Sequence, residues 1–294
     1  MKPSLLILAA GSGSRYDGLK QLDSLGPHGE TILDYSISDA LQAGFGKVVL
    51  VIRKDFQKDF EEKIVSRWKG KAEIVFAYQE VNPVFQGLQV AKREKPWGVV
   101  HAVLSAKGKI HEPFAVVNAD DFYGKNAFKQ MADFLLSKCA ANFYGLVVYP
   151  LGRTLSDYGA VSRGVCETSA AHTLTAICEF KNVKKTHGGI TGVFNGQTKP
   201  LAPEACVSMN FWGLHPSFFD HAQKIFLEFV KQNASNPQAE MTLPDVIGIL
   251  IGQGVVRVSV LPCSEEWFGV TYPEDRPDVI GKLQQINKSP NNEF

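Results

Sequence analysis

The stretch Leu5-Leu6-Ile7-Leu8-Ala9-Ala10-Gly11-Ser12-Gly13-Ser14-Arg15, followed by Lys20, decides the fold. Leu5 to Ala10 is an unbroken apolar run, of a length that suits a strand buried on both faces, as in a parallel sheet. It stops at a Gly-Ser-Gly-Ser loop. Such a loop lets phosphate oxygens approach its backbone N–H groups closely, and Arg15 and Lys20 add fixed positive charge beside it. This is the layout of a polyphosphate cradle. Two well-known cradles fail in detail. A dinucleotide fingerprint needs a third glycine where Tyr16 stands, and a Walker A loop needs Gly-Lys-Ser/Thr, whereas Gly18 is followed by Leu19, Lys20 and Gln21.

Downstream, strand and helix patterns alternate. Helical spacing from Ile32 to Leu41 ends at Gly44, Val48–Ile52 reads as a buried strand, 55–68 as a charged amphipathic helix and Ile74–Tyr78 as a third strand. This alternation implies right-handed crossovers and a parallel sheet. After a polar excursion over 82–96, Gly98 opens a helix that stops by Gly108. Phe114–Asn118 is the next buried strand, and it runs into Ala119, Asp120 and Asp121, which places the two acids at the carboxyl end of a central strand, where open α/β sheets bind ligands. A helix over 126–138 and a strand over 143–149 follow. From Arg153 the texture changes to short β-like pieces at 158–165 and 173–180, then a Gly-rich loop at 187–199. A strand at 205–214, helices at 217–232 and 243–252 and a strand at 255–261 come next. Thr271 and Glu274 form a capping-box pattern that starts the last helix.

At 294 residues with 45% apolar content, the chain can bury a large core as one elaborated α/β domain. The net charge of +1, from 31 basic and 30 acidic residues, gives no long-range field for nucleic acid or an anionic membrane. Anion binding must therefore be local. Five widely spaced cysteines with no Cys-x-x-Cys pair speak against a metal cluster or a disulfide framework, and they suit a reducing cytoplasm. The N-terminal apolar run reads as a strand rather than a signal peptide, and no run is long enough to span a membrane.

The motif Leu8-Ala9-Ala10-Gly11-x-Gly13-x-Arg15, with Lys20-Gln21-Leu22 downstream, resembles the signature of the sugar nucleotidylyltransferases, the nucleoside-diphosphate-sugar pyrophosphorylases. The resemblance covers about residues 4 to 275. It implies a Rossmann-like three-layer α/β nucleotidyltransferase fold with a mostly parallel central sheet and a smaller β-rich insertion. The corresponding division is a nucleotide-binding half at 1–150, a sugar-phosphate-binding half at 151–262 and a C-terminal helix at 263–294. It also implies the reaction: a nucleoside triphosphate and a sugar 1-phosphate give the nucleoside-diphosphate sugar and pyrophosphate, with Mg²⁺ as cofactor. The sugar phosphate is itself the nucleophile, so neutralising charge and aligning two anions carry the catalysis.

Site residues follow from the same resemblance. Arg15 stabilises the pyrophosphate, Lys20 contacts the α-phosphate region and Asp120, shortly before Phe122-Tyr123-Gly124, is the Mg²⁺ ligand; Asp121 is an auxiliary ligand or a ribose contact. Leu8, Ala9, Ala10, Gly11, Gly13, Gln79 and Gly98 bind the nucleotide. Val99 and Val100 depart from the Thr and small residue common there, which leaves the base open. His101 reads as a packed or capping histidine. On the acceptor side, Tyr158 and Gly159 resemble a Tyr-Gly-Val-Val element that lets a hexose lie against the backbone. Glu179 and Lys181 resemble a Glu-Lys-Pro element holding sugar hydroxyls and phosphate, although Phe180 intervenes and no Pro follows. Asn210 is an amide in an apolar strand, where an unpaired buried amide costs on the order of 1–3 kcal/mol, and it reads as a metal or sugar ligand or as an Asn satisfied by backbone.

Three other readings compete. Cytidylyl transfer to a phosphorylated alcohol would use the same first half. A nucleotide-sugar-dependent glycosyltransferase could share the Ala-Asp-Asp motif, but it expels no pyrophosphate and needs no Arg15–Lys20 cradle. A regulatory binding protein could keep the pocket without turnover, against which the intact Arg15, Lys20 and Asp120 argue. No acyltransferase repeat follows, so a bifunctional acetyltransferase is not expected. A homo-oligomer is left open by the sequence.

Overall fold

The structure, a computed structural model, describes residues 1–11 and 19–288. In chain order the first half comprises β1 (Ser4–Leu8), α1 (Ile32–Gln42), β2 (Lys47–Ile52), α2 (Gln57–Phe60), α3 (Ser66–Trp68), β3 (Ile74–Tyr78), α4 (Val99–Leu104), β4 (Phe114–Asn118), β5 (Asp121–Phe122), α5 (Lys125–Ser137) and β6 (Phe143–Pro150). The second half adds β7 (Val161–Thr168), β8 (Leu174–Thr186), β9 (Gly189–Phe194), β10 (Gln197–Leu201), β11 (Cys206–Leu214), α6 (Ser217–Gln232), α7 (Leu243–Gly252), β12 (Arg257–Pro262), β13 (Phe268–Gly269) and α8 (Arg276–Asn287).

The apolar run of β1 is buried on both faces. Leu5 and Ile7 enter one core, with Phe128 and Met131 of α5, and Leu6 enters the other, with Val100 of α4 and Phe226 of α6. Helices thus cover the sheet on both sides, α1 and α5 on one and α4, α6 and α7 on the other, which gives three layers. The central sheet runs β3-β2-β1-β4-β11-β6-β12, and four of its six pairings are parallel. From β11 the sheet also extends antiparallel through β7, β8, β9 and β10, the β-rich part of the second half.

Local chemistry sets the element ends. Thr31 and Asp34 form a capping box at the start of α1, in which the Asp34 carboxylate accepts from Thr31 N at 2.8 Å. Asp34 is fully buried, and it also accepts from Trp68 Nε1 at 2.8 Å, which ties α1 to α3. The last helix starts differently from the sequence expectation. Asp275, not Glu274, caps it, accepting from the amides of Thr271 (3.0 Å) and Tyr272 (2.7 Å).

A second correction concerns 187–199. This Gly-rich stretch is the hairpin β9–β10 rather than a loop. Asn195 and Gly196, with φ of 50° and 77°, form its turn. Asn-Gly supplies the two consecutive positive φ values that match strand twist, so the turn signal was present but was masked by Gly188-Gly189 beside it. Among the described residues no helix is long and apolar enough to cross a membrane.

Candidate active site

In the sheet order β4-β1-β2-β3, the chain leaves β1 in one direction to reach β2 and β3 and in the other to reach β4. The gap between β1 and β4 at their carboxyl ends is therefore a topological switch point, where ligands of open α/β sheets bind. There the Ala119 amide donates to the Leu8 carbonyl at 3.1 Å. The Gly11 carbonyl accepts from Gln21 Nε2 at 2.5 Å. Lys20, beside Gln21, brings Nζ to 2.8 Å from Asp120 Oδ2, with the two side chains 16% and 36% exposed. Arg15 and Gly13 lie outside the described residues.

Behind Asp120 stands a connected polar network. Asp121 Oδ2 accepts from Asn118 Nδ2 at 2.9 Å, Asn118 Oδ1 accepts from Asn210 Nδ2 at 2.7 Å, and Asn210 Oδ1 accepts from Trp212 Nε1 at 3.1 Å. The Tyr123 hydroxyl accepts from the Asn118 amide (3.0 Å) and donates to the Met209 carbonyl (2.9 Å). Asn210 holds φ of 64°, at a bulge where the pairing of β11 with β6 shifts register between Ser208 and Phe211. Left-handed backbone is uncommon outside glycine, with Asn among the residues that tolerate it. The bulge re-aims this one side chain from the sheet into the network. Burial, and then the neighbouring Asp120, hold the Asp121 carboxyl well above the usual carboxylate range, against the opposing pull of Asn118 and Lys20.

Two cavities flank this network and share Asn118 and Val99 as wall. The first, about 400 Å³, is lined by Leu8, Ala10, Gly11, Gln79 and Gly98, with Arg53 at its side. Ala9 turns away into the core. Gln79 Nε2 donates to the Gly98 carbonyl at 3.0 Å. Gly98 has φ of 94°, and a Cβ there would fall 2.6 Å from the Met241 carbonyl oxygen, so only glycine lets the 240–241 backbone close against this cavity. His101 is buried and stacked on Phe226 at 5.6 Å, and burial lowers its pKa to about 4, so it stays neutral near pH 7.

The second cavity, about 530 Å³, is lined by Asp121, Arg163, Glu179, Ser208, Asn210 and Asp245 among others. Burial raises the Glu179 carboxyl, against the attraction of Arg163 and Lys181. Glu179 and Lys181 share the exposed face of β8, while Phe180 turns into the core and stacks on Phe194 at 5.1 Å. Lys181 does not line the cavity. Neither do Tyr158 and Gly159. The Tyr158 hydroxyl donates to Asp278 of α8 at 3.1 Å, and a Cβ on Gly159 would meet the Tyr272 ring at 2.6 Å. Sequence reasoning missed Asn118, Arg163 and Asp245. The one signal for Arg163 was a charged residue between Val161 and Val165 of a half-buried strand.

The fold and this site define a class. The nucleotidyl transferase family model matches residues 4–182, and the chain belongs to that family of enzymes. No curated protein matches it. Among solved structures it is similar to a candidate glucose-1-phosphate thymidylyltransferase from Bacillus anthracis in complex with sucrose (12% identity, 99% of this chain and 96% of that one, TM-score 0.65). It is similar also to the inositol-1-phosphate CTP transferase from T. maritima (14%, 96% and 96%, 0.62) and to the UDP-glucose pyrophosphorylase from Acinetobacter baumanii (16%, 98% and 95%, 0.60).

Proposed function

We propose that this nucleotidyltransferase joins a nucleoside triphosphate to a sugar 1-phosphate, giving the nucleoside-diphosphate sugar and pyrophosphate. The observation that carries the reading is the pair of cavities meeting at Asn118 and Val99, with Asp120 and Lys20 at the same strand end. A nucleotide in the first cavity and a phosphorylated polyol in the second would bring the α-phosphate and the acceptor phosphate together there. Positioning of this kind supplies much of the acceleration in a reaction that needs no covalent nucleophile.

The residues fit Mg²⁺. Among the described residues no group of three or more His, Cys, Asp or Glu could hold a metal, yet Mg²⁺ is commonly bound by one or two carboxylates together with substrate phosphates. Asp120 is the carboxylate that would hold it, with Asp121 behind. When bound, the ion neutralises phosphate charge and orients the phosphates. Lys20 would then exchange its pairing with Asp120 for the α-phosphate. Gln79 and the Gly98 backbone line the space for the base, and Glu179, Asp245 and Ser208 offer acceptors to sugar hydroxyls. The reading places the protein with a triphosphate and a sugar phosphate as its partners.

Carboxylates and hydroxyls suit other polyols too, so cytidylyl transfer to a phosphorylated alcohol stands as the second reading. A pyrophosphate-release screen of the common nucleoside triphosphates against sugar 1-phosphates and phosphorylated alcohols separates the two. Release with a sugar 1-phosphate supports the first, release with CTP and an alcohol phosphate alone supports the second, and none with any pair contradicts both.

A further inference from the structure

Arg163 of β7 is 8% exposed and stands in the wall of the second cavity. Its guanidinium is anchored from one side. Nε donates to the carbonyl and hydroxyl oxygens of Thr154 (3.1 and 3.2 Å), Nη2 donates to the same carbonyl, and Nη1 donates to the Ser162 carbonyl at 2.8 Å. The group lies over the Trp267 ring, 5.0 Å from its centroid. A guanidinium carries five N–H donors. These contacts take three of them, and among the described residues no acceptor meets the remaining two, one on each Nη.

No carboxylate of the described residues forms an ion pair with Arg163 either. Asp121 and Glu179, which line the same cavity, act on it only at longer range, and burial lowers its pKa to about 10, so it stays charged near pH 7. A buried cation without a close counter-charge is costly and is normally compensated. Arginine's fixed fork matches the geometry of an oxyanion, which two parallel N–H donors can grip.

We propose that Arg163 binds the phosphate of the acceptor, completing its hydrogen bonding with the two remaining N–H groups. This rests on the transfer reaction proposed above and sharpens it. The cation feels both Asp121, next to the metal-ligand candidate Asp120, and Glu179, on the sugar side. An acceptor phosphate that must reach the α-phosphate while its polyol meets Glu179 and Asp245 has to lie between those two carboxylates. Lys181, the cation expected from the sequence, lies outside the cavity wall that Arg163 and Glu179 share. The acceptor class is accordingly a phosphomonoester of a neutral polyol, its phosphate gripped by Arg163 and its hydroxyls facing carboxylates.

The test uses Arg163→Gln and Arg163→Lys, with circular dichroism and melting as fold controls. Because the guanidinium lies over Trp267, titration with inorganic phosphate should change tryptophan emission saturably, and Trp267→Phe should remove the change. Arg163→Gln should weaken phosphate binding by roughly tenfold or more, the scale of a charge-assisted hydrogen bond, and Arg163→Lys should weaken it less. If Arg163→Gln does not fold, Arg163→Lys decides, since the loss of one arm of the fork should still weaken binding about threefold or more. Unchanged phosphate affinity in the folded variant overturns the proposal. With a substrate pair from the screen, Arg163→Gln should raise KM for the acceptor roughly tenfold or more and leave that of the nucleotide near its wild-type value. Turnover with an unchanged acceptor KM removes Arg163 and leaves the reaction standing. An Arg163-dependent phosphate response with a blank screen keeps the anion site and removes the reaction.

Discussion

Lys20 Nζ and Asp120 Oδ2 lie 2.8 Å apart across a hundred residues of sequence, the cation from the loop after the first strand and the acid from the end of the fourth. The pair joins the two halves of the proposed chemistry before any substrate binds. Each partner masks the other's charge, and both keep some exposure to solvent, 16% for Lys20 and 36% for Asp120, so each can be passed to a phosphate or to a cation. Asp120→Asn should therefore abolish turnover and leave the fold intact, because a neutral amide binds Mg²⁺ far more weakly than a carboxylate. Normal pyrophosphate release by a folded Asp120→Asn protein would take Asp120 out of the site.

Arg15→Ala should lower kcat by roughly two orders of magnitude, the scale of losing one preorganised charge-stabilising group. Steady-state kinetics at saturating substrate measures this, and unchanged kcat would reduce the Gly-rich loop to a structural turn.

Asn210→Ala should cost about 1–3 kcal/mol in stability by urea denaturation. It leaves the Asn118 side-chain oxygen and the indole N–H of buried Trp212 without their partner and puts a Cβ-bearing residue without a side-chain amide at positive φ. A cost under about 0.5 kcal/mol would mean that the bulge relaxes and that the network does not depend on this amide.

Asp39 of α1 is 8% exposed, and burial, reinforced by Glu265 and opposed by Lys125, raises its carboxyl from 3.8 to about 7. An acid with a folded pKa above its unfolded value binds more protons when folded, so its contribution to stability is present below about pH 4 and is lost as pH rises towards 7. At about 1.4 kcal/mol per pKa unit, the loss is on the order of a few kcal/mol. Asp39→Asn should raise Tm well above wild type at pH 8, by much less at pH 5 and hardly at all at pH 4. Parallel Tm–pH curves for the two proteins would contradict the assignment.

Glu179→Ala should raise KM for the sugar phosphate much more than for the triphosphate, since Glu179 lines only the second cavity. Lys181→Ala tests the expectation that arose from sequence. Exposed and outside that wall, it should have a smaller effect than Glu179→Ala. Equal shifts in both KM values for Glu179→Ala would move the acceptor elsewhere.

The parallel half of the fold was legible because its strands are buried on both faces and so read as continuous apolar runs, as Leu5 to Leu8 do. Gln79, Asp120 and Asp121 stand just past the ends of such runs and Gly98 just before α4, and it was the family resemblance that marked them as candidates for the site. The antiparallel half was harder. Its strands have one wet face, so the sequence pattern ends β8 at Phe180 and reads the β9–β10 hairpin as a loop. Arg163 and Asp245 reach the second cavity only through the pairing of β7 with β8 and the approach of α7. Such contacts between distant segments leave no local pattern. Asn118 was hidden by its place as the last residue of an apolar strand, where a polar residue reads as a strand end.

The most direct measurement is the reverse reaction: incubation of the protein with Mg²⁺, pyrophosphate and a panel of nucleoside-diphosphate sugars, with nucleoside triphosphate and sugar phosphate quantified by mass spectrometry. Stoichiometric formation of the two from at least one member of the panel, absent in Asp120→Asn, is the result expected. Release of free sugar or sugar transfer without any triphosphate, the outcome for a glycosyltransferase on this architecture, would contradict it.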